Sequence, residues 1–174
     1  MRLHLVDIDS SLVEAWRTSF AAHPEVSIAE GDILELANCA IVSPANGLGV
    51  MDGGIDRDYA IRFGPEFERR VFTAVSQRTE GHLPLGASVV VGTGDSRIPY
   101  VVLAPTMLTP ERVFDSNVCY RAMRAALRAA GREEARISDL FCPGLCTGVG
   151  MLRPEEAASA MALAYLDWAG AQNL

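Results

Sequence analysis

The residues best suited to chemistry lie in two glycine-rich segments and beside one isolated acid. From Ser43 to Asp56 the chain reads Ser-Pro-Ala-Asn-Gly-Leu-Gly-Val-Met-Asp-Gly-Gly-Ile-Asp, with one amide (Asn46) and two acids (Asp52, Asp56) among four glycines. An amide beside glycines that admit a ligand to the backbone can bond a sugar hydroxyl. It can equally be a left-handed turn residue or a cap. From Pro143 to Gly150 the chain reads Pro-Gly-Leu-Cys-Thr-Gly-Val-Gly, rich in glycine and without lysine. Such a loop can turn successive N–H groups inward as an anion-binding nest, or make a tight turn beside a packed helix. Upstream stands Gly31-Asp32-Ile33. Asp32 can N-cap the short turn Ile33–Leu36, or accept from an exocyclic amine such as that of adenine.

Other phosphate-binding devices are excluded. No G-K-[ST] occurs, so there is no lysine-based P-loop. The first strand-to-helix turn, Asp7–Ser11, has no glycine, which argues against a dinucleotide fingerprint. Gly92-Thr93-Gly94 leads into another strand rather than a helix. Cys146 has no histidine or lysine near in sequence to activate it as a nucleophile.

These loops must be positioned by the elements around them. Leu3–Ile8, Val26–Ala29, Ala40–Ser43, Ser88–Val91, Tyr100–Ala104 and Ile137–Cys142 read as strands. Ser10–Phe20 reads as a helix with Ser10 as N-cap and Leu12, Val13, Trp16 and Phe20 on one face. Ile55–Thr79 is helical, broken near Gly64-Pro65 because proline disfavours helix in the residue before it. Ser116–Ala130 is a helix with Val118, Ala122, Ala125 and Ala129 as its seam and Gly131 as its stop. The last helix opens at Pro154, with Glu155 and Glu156 complementing its dipole, and buries Ala157, Met161, Tyr165 and Trp168. The spacing of the fourth and fifth strands allows a hairpin, or neighbours further apart. This alternation implies an α/β fold, a sheet covered by helices on both faces. Both glycine loops leave a strand and enter a helix, at the edge where open α/β sheets bind ligands.

The chain has 174 residues, 49% of them apolar, enough for one domain with a single core. No apolar run is long enough to span a bilayer, and no signal-length apolar stretch opens the chain, so a cytoplasmic protein is expected. Net charge is −7, which gives no general attraction to nucleic acid or to an anionic membrane. An anionic ligand must therefore be held locally, by backbone N–H groups or one placed base. The four cysteines are expected to stay reduced. The three histidines are scattered, and no metal site or cofactor is expected.

Taken in order, Gly31-Asp32-Ile33, Ala40-Ile41-Val42-Ser43-Pro44-Ala45-Asn46, Gly53-Gly54-Ile55-Asp56 and Pro143-Gly144-Leu145-Cys146-Thr147-Gly148-Val149-Gly150 resemble the macro domain family. The resemblance runs from about Val26 to the C-terminus. It implies a three-layer α/β/α fold with a mixed, about six-stranded sheet, one macro domain over 1–174, and residues 1–24 as an added strand and helix. It also implies a cleft for ADP-ribose, free or carried by a macromolecule. Asp32 would accept the adenine amine, with Ile33 N–H beside it. Asn46 would bond the distal ribose, next to Ala45. Gly53, Gly54 and Ile55 would approach that ribose and the diphosphate through backbone. Gly144 and Leu145 to Gly150 (Leu145, Cys146, Thr147, Gly148, Val149, Gly150) would wrap the diphosphate, with Met151 where the family often has an aromatic residue.

The resemblance further implies hydrolysis of ADP-ribosyl linkages on protein or nucleic acid, with Asn46 and Asp56 as catalytic residues and Asp52 as an alternate acid. A non-catalytic reader of ADP-ribose and an ADP-ribose-1''-phosphate phosphatase are the alternatives. Asp56 read on its own is a solvated acid at a helix start. Three departures bear on hydrolysis: Ser43 stands where the family often has Asn, the glycine run is short, and the Asp56–Ala60 segment is longer.

Overall fold

The structure, a computed structural model, describes residues 1–133 and 136–172. The strands are β1 (Arg2–Asp7), β2 (Ser27–Glu30), β3 (Ala40–Ser43), β4 (Val89–Gly92), β5 (Tyr100–Leu103) and β6 (Asp139–Cys142). The helices are α1 (Ser10–Ser19), α2 (Ile33–Leu36), α3 (Gly54–Phe63), α4 (Pro65–Ser76), α5 (Ser116–Arg132) and α6 (Pro154–Gln172). The sheet order is β2-β1-β6-β3-β5-β4. Its pairs are parallel except β4 with β5, an antiparallel pair with Val89 opposite Leu103. β1 lies inside this sheet, between β2 and β6, rather than as an addition at its edge.

Strand alternation divides the core in two, because successive side chains point to opposite faces. Leu3, Leu5, Ala40, Val42, Val102, Leu140 and Cys142 pack with α1, α5 and α6. Val6, Ile41, Val101, Leu103 and Phe141 pack with Tyr59, Phe67, Val71 and Val75 of α3 and α4. β3 and β6 are buried along their whole length, as expected for central parallel strands.

Two helix boundaries correct the reading from sequence. Asp9, not Ser10, caps α1: its extended backbone lets its side chain accept from Ser11 N–H at 2.9 Å. Gly131 does not stop α5, which runs on to Arg132. Its bare Cα instead faces α6, where a Cβ would sit 3.5 Å from Trp168 Nε1. Gly64 and Pro65 do break the third helical region, with Gly64 at φ 80° between α3 and α4.

Candidate functional site

Where β1, β2, β3 and β6 end, their following loops enclose a cleft of about 770 Å³. That is within the range of pockets that bury a small organic ligand. Residues Val6–Asp9, Gly31–Leu34, Pro44, Asn46 and Val50 line it, with Asp52–Asp56, Asp58, Ile61 and Arg62 from the start of α3. Thr106, Met107 and Pro110 follow β5, and Pro143, Gly144 and Cys146–Gly150 follow β6.

Asp32 serves the local fold directly. Its Oδ1 accepts from Leu34 N–H at 2.8 Å and so caps α2, while the residue also lines the cleft. The capping and ligand readings of Asp32 thus coexist, since the cap engages one carboxylate oxygen. Asn46 is committed to its own loop. Its Oδ1 accepts from Leu48 N–H and Val50 N–H, both at 3.1 Å, and its Nδ2 donates to Val50 O at 2.6 Å. These bonds close the turn 46–50 and hold one wall of the cleft.

α3 begins at the cleft without a side-chain cap. Gly53 precedes it in extended backbone, and Gly54 sits at φ 55°, a conformation that favours glycine. The N–H groups of Gly54, Ile55 and Asp56 have no protein acceptor among the described residues. They form the positive end of a helix, a ready anion site.

The loop after β6 completes the opposite wall. Asp7 Oδ2 accepts from Gly144 N–H at 2.9 Å. A Cβ on Gly144 would lie 2.4 Å from Thr147 Oγ1 and 2.5 Å from Leu12 Cδ2, so only glycine fits there. Cys146 adopts φ 65°, and its carbonyl accepts from Leu152 N–H at 2.9 Å. The N–H groups from Cys146 through Gly150 have no protein acceptor among the described residues. Five successive donors on a cleft wall make a nest for an anion.

Charge on side chains runs the other way. Asp7, Asp9, Asp32, Asp52, Asp56 and Asp58 line the cleft with a single cation, Arg62. Arg62 is paired with Asp95 at 2.8 Å. Any anion held here rests on backbone dipoles, as expected from the charge of the chain.

Asp56 is not a solvated helix-start acid. It is 8% exposed, and Ser43 Oγ donates to its Oδ1 at 2.6 Å. Burial pushes its carboxyl up to about 6, against the downward pull of the Ser43 hydrogen bond. A buried acid with a raised pKa in a cleft marks a candidate functional residue.

Three expected ligand residues lie elsewhere. Ala45 is in the core on the α3/α4 side, and its carbonyl accepts from Thr106 N–H at 3.0 Å. Leu145 is fully buried on the α5/α6 side. Met151 is outside the cleft lining and exposed, at φ 53°. The sequence reading missed Asp7, Asp9, Arg62, Thr106 and Met107 as cleft residues and Ser43 as the partner of Asp56. Asp7 had a signal: an acid at the carboxyl end of a parallel strand, where such sheets bind ligands.

The chain matches the Macro domain family model over residues 42–161. A protein of Aquifex aeolicus (strain VF5), named only as uncharacterized, is 33% identical over 137 residues, covering 79% of this chain and 78% of that one. The macrodomain of Mycobacterium tuberculosis DarG superposes with a TM-score of 0.67 at 24% identity, covering 80% of this chain and 88% of that chain. Thermosipho africanus DarTG, solved in complex with ADP-ribose, gives a TM-score of 0.62 at 19% identity, covering 80% of this chain and 38% of that chain. The chain belongs to the macro domain family, and its mixed six-stranded sheet between helices is that fold.

Proposed function

We propose that this chain binds ADP-ribose in the cleft and hydrolyses ADP-ribosyl linkages there. One observation carries the reading: two arrays of N–H groups, at Gly54–Asp56 and at Cys146–Gly150, without acceptors among the described residues, line one cleft in which Arg62, the only cation among its described lining, is already paired. A diphosphate suits such a site, because it brings two negative charges to fixed dipoles and needs no lysine. The solved complex of the Thermosipho protein with ADP-ribose supports this choice of ligand. Asp32 and Ile33 would take the adenine, and the distal ribose would lie by Gly53, Gly54 and Asp56.

Hydrolysis bonds the oxygen of water to the distal anomeric carbon, while the substituent leaves with the electron pair of its bond and the water's proton passes through the base to solvent or the leaving oxygen. It needs a held sugar and a group that takes the water's proton or stabilises positive charge at that carbon. Asp56 meets this need, since a carboxyl with a pKa of about 6 is mostly ionised at neutral pH. A reader without catalysis is the second reading. It is favoured by Asn46, whose amide oxygen and one amide N–H close its own turn, leaving one N–H for a ligand.

Calorimetry with ADP-ribose, AMP and NAD tests binding; ADP-ribose should bind tightest. Release of ADP-ribose from an ester-linked protein and from a phosphate-linked nucleic-acid end tests hydrolysis. Asp56→Ala should bind ADP-ribose yet release it roughly ten- to ten-thousandfold more slowly. Tight binding with no release from any linkage leaves a reader. Inorganic phosphate released from ADP-ribose-1''-phosphate in ¹⁸O-water, with the label in the phosphate rather than in the ribose, would instead point to a phosphatase.

A further inference from the structure

Ser43 closes β3 with no exposed surface. Its backbone is fixed by the register of β3 on β5, with Ser43 opposite Leu103, and by Ala104 N–H, which donates to its carbonyl at 2.9 Å. A buried hydroxyl must find an acceptor. This one donates to Asp56 Oδ1 at 2.6 Å, across to the first turn of α3.

Among the described residues, Ser43 is the only side chain that donates to the Asp56 carboxylate. Tyr59, from the same helix, is fully buried and donates to Val42 O at 3.2 Å. The ionisable groups around Tyr59, besides Asp56 itself, are Cys142 on β6, Asp7 at the end of β1 and Asp32 before α2. Asp52 and Asp58 share the cleft, and Arg62 is held by Asp95. These neighbours are neutral or acidic. The Ser43 hydrogen bond is thus the one side-chain interaction opposing burial, beside the positive end of α3 on which Asp56 sits.

We propose that Ser43 is the positioning residue for Asp56, fixing one carboxylate oxygen to the rigid end of the sheet. The role rests on the hydrolytic reading of the cleft. With Oδ1 anchored, the carboxylate has one orientation, and its second oxygen serves the reacting end of the ligand. Without the donor, only the helix end opposes burial, and the acid holds its proton at pH values where a base is needed.

The test separates the role of Ser43 from the activity itself. Carboxyl ¹³C shifts of Asp56 are followed through pH in the ligand-free protein. The midpoint should stand near 6 in the wild type. In Ser43→Ala it should rise by roughly one pH unit or more, the scale of a lost hydrogen bond to a charged group. Ser43→Thr, which restores a hydroxyl, should bring it back. Ser43→Cys, near in size but a weak donor, reads the same rise should the alanine variant fail to fold. The acid limb of the pH profile for ADP-ribose release should move with the midpoint in each variant, while ADP-ribose affinity stays close to wild type. An unmoved midpoint in folded Ser43→Ala or Ser43→Cys overturns the proposal whatever the activity. A moved midpoint in a protein that releases no ADP-ribose supports the tie to Asp56 and removes only the hydrolytic reading.

Discussion

Asp7 Oδ2 and Gly144 N–H are joined by a 2.9 Å hydrogen bond between residues 137 apart in sequence. The end of β1 thereby anchors the start of the nest, while Asp7 Oδ1 accepts from Asp9 N–H at 3.0 Å. Asp7→Ala removes the acceptor and frees the loop 143–150. ADP-ribose affinity should fall by about 1–3 kcal/mol, the value of a hydrogen bond to a charged group passed on through the loop. Calorimetry on the folded variant checks this, and unchanged affinity would show that the loop holds its shape without the anchor.

Asp32 caps α2, and on the proposed reading it also accepts from the adenine amine; substitution can separate the two. Asn is as good an N-cap as Asp, so Asp32→Asn should leave the melting temperature near wild type. It removes the charge opposite the adenine amine, and affinity should fall about tenfold. Asp32→Ala should lose both, with about 0.5–2 kcal/mol of stability gone with the cap. Equal affinity of wild type and Asp32→Asn would confine Asp32 to capping.

Gly148 and Gly150 should respond differently. A Cβ on Gly148 meets nothing within 4 Å, so Gly148→Glu places a charged side chain in the cleft without disturbing the fold. Binding of ADP-ribose should be lost while far-UV dichroism and melting stay near wild type. On Gly150 a Cβ would lie 2.5 Å from Cys146 O, so Gly150→Ala must shift the loop and should lower melting as well. Retained binding in Gly148→Glu would take the diphosphate off this loop.

Asp56 should make the wild type pH-sensitive in a defined direction. Its carboxyl rises from 3.8 to about 6 on folding. Below about pH 4 native and unfolded chains both hold the proton. Between these values the unfolded chain releases it first, so stability falls as pH rises, and above about 6 the loss is complete. Two pKa units correspond to roughly 3 kcal/mol. Asp56→Asn carries no such penalty, and its stability should gain on the wild type progressively from pH 4 to pH 7 in urea unfolding. Parallel curves across that range would mean that the carboxyl is not buried in solution.

Much of the architecture was legible because it depends on local order. Near-continuous apolar runs in β3, β5 and β6 mark strands buried on both faces. Gly64-Pro65 marks the break between α3 and α4 through backbone sterics. The glycine loops, each after a strand and before a helix, place a ligand site at the carboxyl edge of the sheet. Net charge alone implies that an anion is held locally, by backbone N–H groups or one placed base.

What tertiary structure decided are the relations between distant groups. Asp56 looks like a solvated acid from its neighbours, and only the packing of α3 over β3 buries it against Ser43. Asn46 lines the cleft, but only the structure shows that it also closes the turn 46–50. Ala45 and Leu145 belong to cleft motifs by position yet face opposite halves of the core. Asp7 lay outside the family motifs, but the parallel pairing of β1 with β6 sets it beside Gly144. Spacing along a chain encodes backbone conformation. Burial, and the pKa and hydrogen-bond partner that follow from it, depend on which surfaces meet, and that is set by the packing of the whole sheet and its helices.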